Sequence, residues 1–234
     1  MHWINKNYLN SIKSFKDGMD GQINAFFHQV LYNEGLNFFE TPHYRLYSLI
    51  TENVKMDLNS LISLNVDYDV FGFLAIRRNL RNSIEAHYDL FNLTNDGQYL
   101  SLLKCRSRNV AKEEKYCIQL GEYSKYREGK FTIKEKAEIA KKYGLDDKKY
   151  EFLKSISTES NSYIHPDIFI PIMNIEKKNS CLKKLLYIDC LLLAESFDLL
   201  LQCYTQFTGR KLAFDCYFEF QRLQAAIVSC DCII

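Results

Sequence analysis

The sequence predicts an all-α fold: a single-domain bundle of antiparallel helices spanning residues 1–234. Three observations predict it. Breakers are scarce, with 3 prolines and 9 glycines in 234 residues, which leaves room for long helices. Apolar residues recur at three- and four-residue spacing over long windows. No run of alternating β-branched residues is long enough to argue for a strand. At 47% hydrophobic and 25% charged, the composition is that of a globular protein able to bury a core.

A first helix is expected from Tyr8 to Asn33, with Gly18 and Gly21 weakening its middle and positioned to break it in two. Gly35 fits its C-terminal stop. Thr41 and Pro42 open the second helix, Thr41 as cap and Pro42 at the first position. Its stripe is Leu46, Leu49, Ile50, Val54, Leu58, Leu61 and Ile62, ending near Asn65. Asp67 or Asp69 can cap a third helix, Phe71–Leu93. Thr94 to Gly97 is a turn cluster.

A fourth helix is expected from Gln98 to Leu120, and a tyrosine-bearing loop from Gly121 to Lys130. Thr132 and Glu135 form a capping box that opens a short helix to Lys142, closed by Gly144. Asp146 or Asp147 starts the next, running to about Ser160. The Lys/Glu-rich stretch 112–149 is the one shift in composition and reads as a small helical insertion, a flap or subdomain. Ser180 is the expected cap of a long buried helix ending before Gly209. A last amphipathic helix is expected from Leu212 to Val228.

The net charge of +1 excludes a global field that draws the chain to nucleic acid, so such contact must rest on a local patch. The 8 cysteines are scattered and lack a Cys-x2-Cys pair. They read as buried reduced thiols of a cytoplasmic protein, and no metal site or cofactor is expected. The N-terminus lacks the apolar run of a signal peptide. The most apolar segment, Cys181 to Tyr204, carries Lys183, Lys184, Asp189, Glu195 and Asp198, too many charges for a membrane span.

The third helix carries the densest chemistry. On a wheel with Leu80 at zero, Phe73, Ile76, Ile84 and Phe91 fall within roughly 40° and make a core face. Arg77, Arg81 and Glu85 follow at i, i+4 and i+8 along one edge, with Arg78 near Glu85. Arg81 and Glu85 are surface neighbours able to pair. Such a ridge is either a salt-bridged seam or the wall of a cleft. His87 falls in the middle of the apolar face and is expected to be a core histidine. A second dense segment is Ser162, Tyr163, His165 and Pro166. Pro166 forces His165 out of helical geometry, at a chain reversal able to face an anion or simply to join two helices.

Arg81-Asn82-x4-His87 resembles the Arg-x(4–6)-His pattern of HEPN-domain proteins, small helical modules of bacterial toxin and antiphage systems. Arg81-x3-Glu85 followed by Ser157 and Tyr163-x-His165-Pro166 also resembles HEPN-like families with a late Ser and His-Pro corner. The resemblance covers about Asp69 to Leu201. It implies a metal-independent endoribonuclease, commonly dimeric, of a toxin or antiphage defence system. Arg81 would stabilise charge on the scissile phosphate and His165 would move the proton, with Glu85 orienting either. Arg77, Arg78, Asn82, Ser162 and Tyr163 would line the binding surface. His87 lies about 120° around and about 9 Å along the helix from Arg81, so His165 is the better proton carrier. The alternative is a non-catalytic HEPN-like module that binds a nucleotide, RNA or partner protein. Expected partners are RNA or nucleotide, a second copy in a homodimer, and an antitoxin or defence protein, with no membrane.

Overall fold

The computed structural model describes residues 6–63, 70–101, 132–151, 153–154 and 175–229. Every regular element among them is a helix. These are α1 (Lys6–Glu34), a 3-10 turn (Phe38–Glu40), α2 (Pro42–Ser63), α3 (Val70–Asn95), α4 (Ile133–Lys142), α5 (Ile175–Thr208) and α6 (Cys216–Ser229). A further helical stretch begins at 147, capped by Asp146, whose Oδ1 accepts from the backbone N–H of Lys148 and Lys149. Among the described helices none is long and apolar enough to cross a membrane.

Pairwise contacts fix the direction of each helix. His43 at the start of α2 meets Leu93 near the end of α3, and Asp57 late in α2 meets Asn79 of α3, so the two run antiparallel. Tyr47 stacks on Phe197 in α5, and Tyr187 of α5 meets Gln224 of α6. His87 and Thr94 of α3 meet Ser196 and Cys203 of α5 in the same order, so α3 and α5 run parallel. Phe26 and Glu34 of α1 meet Phe197 and Tyr204 in the same sense. Thus α1, α3 and α5 point one way, and α2 and α6 the other. The sequence predicts antiparallel neighbours throughout. The parallel α3–α5 pair arises because residues 96–174 intervene, length enough for the chain to return to the end from which α3 started.

One core joins these helices. Leu80, Ile84, Leu186 and Leu193 are all fully buried, as the periodicity predicts. Phe26 stands at its centre, edge-on to Phe38, Phe197, Tyr204 and Phe214 at 6.1, 5.6, 5.9 and 6.0 Å. Aromatic pairs in this geometry add about 0.5–1.5 kcal/mol each beyond the area they bury. Phe26 therefore ties α1, the 3-10 turn, α5 and the strap before α6 into one unit.

Local rules account for most boundaries. Thr41 Oγ1 accepts from Tyr44 N–H at 3.3 Å and donates to Phe38 O at 2.7 Å, so one hydroxyl closes the 3-10 turn and caps α2. Thr132 and Glu135 form the reciprocal capping box of α4. Gly35, Gly144 and Gly209 hold φ of +64°, +90° and +71° just past the helices they end.

Three boundaries differ from expectation. α1 runs unbroken through Gly18 and Gly21, because packing on α2, α5 and α6 outweighs two unfavourable propensities of about 1 kcal/mol each. α5 begins at Ile175, so Ser180 is an interior residue; no breaker lies between, and serine is tolerated inside a helix. α6 begins at Cys216 rather than Leu212, since Asp215 Oδ1 accepts from Phe218 N–H at 3.0 Å and caps it there. Residues 210–215 form a non-helical strap in which Leu212 is buried.

Several expectations lie outside the described residues. These are the Asp67 or Asp69 cap, the helix beyond Ser101, the loop to Lys130 and the end of the helix near Ser160.

Candidate functional site

The polar edge of α3 repeats every turn: Arg81, Glu85, Asp89 and Asn92. Its lower part is occupied. Lys136 of α4 reaches Glu85 Oε1 at 2.7 Å and Asp89 Oδ2 at 2.6 Å. Tyr99 O–H donates to Asp89 Oδ1 at 2.6 Å, and Asn92 Nδ2 donates to Lys136 O at 3.0 Å. The capping box starts α4 at Ile133 and so places Lys136 on its first turn, facing α3. Lys136 is 7% exposed. Burial opposes its charge, but the Asp89 and Glu85 carboxylates outweigh that and hold the ammonium pKa above its usual value. Burial and Asp89 likewise push the Tyr99 phenol far up, so it stays a donor.

Glu85 therefore pairs with Lys136 and not with Arg81. Among the described residues Arg81 enters no ion pair. It is half-buried, one turn beyond the Lys136 clasp, and Asn82 beside it is exposed. The carboxylate one turn along the helix from Arg81 is thus committed to another cation.

His87 is 1% exposed and faces α5, with Nδ1 3.2 Å from Ser196 Oγ. Burial lowers its pKa to about 4, with Glu195 opposing and Lys149 assisting. It is neutral at pH 7 and turned away from the Arg81 edge. The local Arg81–His87 pair is thus not assembled into a site, as the wheel predicts. Lys149 closes over this region through an ion pair with Glu195.

Arg77 and Arg78 belong to α3, but their side chains lie outside the described residues, as do Ser162, Tyr163 and His165 entirely. The proposed meeting of His165 with Arg81 therefore lies outside them too. Cys190 and Cys203 are buried free thiols. Burial pushes the Cys203 thiol up to about 11, and the Cys190 thiol well above its usual value. A cavity of about 430 Å³ opens between α1 and α6, bordered by Asn10, Ser14, Phe15, Glu219 and Arg222; none of the candidate residues lines it.

Sequence reasoning passed over two features. Lys136 is the first; nothing in an amphipathic ten-residue helix marks which lysine turns inward. The second is a pair of buried acids, Asp57 at 1% and Asp189 at 0% exposure. Here a signal existed. Asp57 stands at core spacing between Val54, Leu58 and Leu61, and Asp189 between Leu186 and Leu193. Comparison with protein-family models, curated proteins and solved structures returns no match.

Proposed function

We propose that this chain is a HEPN-like helical module that holds a phosphate of RNA or of a nucleotide against Arg81. The observation that carries this reading is the division of charge along α3. Lys136 saturates Glu85 and Asp89, while Arg81 one turn away has no ion-pair partner among the described residues. A half-buried cation gains from an anion that completes it, and among the described residues none does so for Arg81. Phosphate suits the forked guanidinium better than a point-charge partner. The resemblance to HEPN proteins rests on the same arginine.

Metal-independent RNA cleavage is the second reading, supported by the same guanidinium, which has no ion pair among the described residues and also suits the charge that develops on a phosphate during transfer. It needs a proton carrier. His87 is unsuited, being buried and neutral, which leaves His165 for that role.

The test uses full-length protein, single-stranded RNA and ATP, with chelator present. Arg81→Ala should fold with stability within about 0.5 kcal/mol of wild type, since it breaks no described pair. It should lose RNA or nucleotide binding. If His165→Ala still binds but wild type never cleaves, the binding module stands. If wild type cleaves and both variants stop, the enzyme stands. Unchanged binding and cleavage in Arg81→Ala would remove both readings.

A further inference from the structure

Asp57 lies on the α2 face that carries Val54 and Leu58 into the core, and Asp189 on the α5 face of Leu186 and Leu193. Asn79 of α3 donates from Nδ2 to Asp57 Oδ1 at 2.8 Å. Among the described residues Asp57 Oδ2 and both carboxylate oxygens of Asp189 have no hydrogen-bond partner. One turn earlier on α2, Nδ2 of Asn53 is buried and also unpartnered. Ser83, fully buried on α3, gives its hydroxyl proton to Asn79 O at 3.0 Å.

Among the described residues no cation forms an ion pair with Asp57 or Asp189; Arg81 of α3 is unpaired, and the following cations of the surrounding helices are held elsewhere. Lys16 of α1 and Lys55 of α2 hold Asp20. Lys136 of α4 holds Glu85 and Asp89 of α3, and Lys149 holds Glu195 of α5. Arg222 of α6 holds Glu219. The ionisable neighbour beside Asp189 on its own helix is Cys190, a buried thiol that cannot neutralise a carboxylate. Asp57 and Asp189 are both buried and the charge of one disfavours the charge of the other, so ionising both in a low-dielectric core is costly without a cation.

A metal does not fit the donors. Among the described residues no third acidic, histidine or cysteine ligand joins the two, and hard cations want six or more oxygens. A proton needs one oxygen to hold it and one to accept from it, which is what the orphaned oxygens offer.

We propose that Asp57 and Asp189 are a proton-binding pair, holding at least one proton in the folded bundle at neutral pH, that makes the α2–α3–α5 contact loosen as pH rises. Burial moves both groups the same way. It lifts Asp57 to about 7, opposed by the Asn79 hydrogen bond, and lifts Asp189 well above the carboxylate range, with Asp57 adding to it. The sign follows. Above the unfolded carboxylate value of 3.8 the folded state binds more protons than the unfolded one, so stability falls as pH rises through the folded values. His87 acts in the opposite sense, but only below its unfolded value of 6.5. The cysteines contribute only toward and above their unfolded value of 9.0. The interval from about pH 6.5 to about pH 8.5 is where the pair differs most from the other described groups, and the Asp57→Asn and Asp189→Asn variants separate its share from that of Asp198, whose carboxyl pKa burial also raises.

The experiment is urea unfolding of the full chain at those two pH values, for wild type, Asp57→Asn and Asp189→Asn. Wild type should lose about tenfold or more in its folding equilibrium constant between them. Asp189→Asn should lose much less. An Asp189→Asn slope equal to that of wild type overturns the proposal. Should the variants not fold, wild type alone decides by infrared spectroscopy in D2O at about pH 6.5, where exposed carboxylates are ionised. A protonated-acid carbonyl band that vanishes on unfolding supports the pair, and absence of that band in the folded protein refutes it.

Discussion

Replacing Lys136 with methionine keeps most of the buried stem and deletes the ammonium that clasps Glu85 and Asp89. Breaking a fully buried ion pair costs about 3–5 kcal/mol, because the remaining charge is stranded. The two carboxylates here are not equal. The Asp89 side chain is 13% exposed and the Glu85 side chain 38%. Water can take over much of the Glu85 share, leaving it near the value of about 1 kcal/mol or less for a surface pair. Asp89 keeps the Tyr99 donor, which offsets part of its loss. The expected cost of Lys136→Met is therefore about 2–4 kcal/mol, most of it through Asp89. The assay is urea unfolding followed by helical circular dichroism at pH 7, in a double-mutant cycle with Asp89→Asn and with Glu85→Gln. Coupling to Asp89 should exceed coupling to Glu85 by about 1 kcal/mol or more. The lysine pKa is raised above 10.5, so its contribution is complete below that value and is lost only as pH rises through the raised one. The same coupling should hold at pH 6 and pH 9. A loss under about 0.5 kcal/mol, or equal coupling to both acids, would refute the reasoning.

Three further perturbations follow from the same structure. Gly21→Ala should stabilise the protein by about 1 kcal/mol, since an added Cβ meets nothing within 4 Å and the helix gains propensity. Gly18→Ala should gain less or lose stability, because its Cβ would stand 2.6 Å from Glu219 Cδ; equal gains in thermal unfolding would contradict that contact. His87→Ala should cost about 1–3 kcal/mol from lost packing and the stranded Ser196 hydroxyl. Because burial holds the His87 pKa at about 4, wild type should lose this histidine's share of stability as pH falls from 6.5 toward 4. The variant should lack that component, and an unchanged acid limb would show that His87 does not titrate as its surroundings dictate.

The helices were legible because periodicity and caps agree over long windows. Thr41, Thr132 and Glu135 cap where their types and spacing say they should. Leu80 and Ile84 point inward because the α3 wheel has one apolar face, and His87 lies on that face for the same reason. Ser180 misled because a good capping residue is only a cap if the chain upstream is not helical. Gly18 misled because propensity is local, whereas α6 lying close over α1 is a tertiary fact. The division of the α3 edge was not legible at all. The pattern of Arg81 and Glu85 at i, i+4 invites a mutual pair, and only the fold brings in Lys136 from 51 residues away in the chain. The buried acids were legible in principle, as polar residues at core positions of α2 and α5.

Asp89 is held from two sides by residues that flank the stretch 102–131. Tyr99 binds one of its oxygens just before that stretch and Lys136 the other just after it. Both ends of the intervening chain are thereby fastened to a single carboxylate on α3. The entropy of closing such a loop grows only logarithmically with length, about 0.6 kcal/mol for each doubling. On the closure term alone, a change of length between the two anchors therefore costs little, provided Tyr99, Asp89 and Lys136 remain. The clasp thus sets where this stretch leaves the helical frame and where it rejoins it, whatever its length.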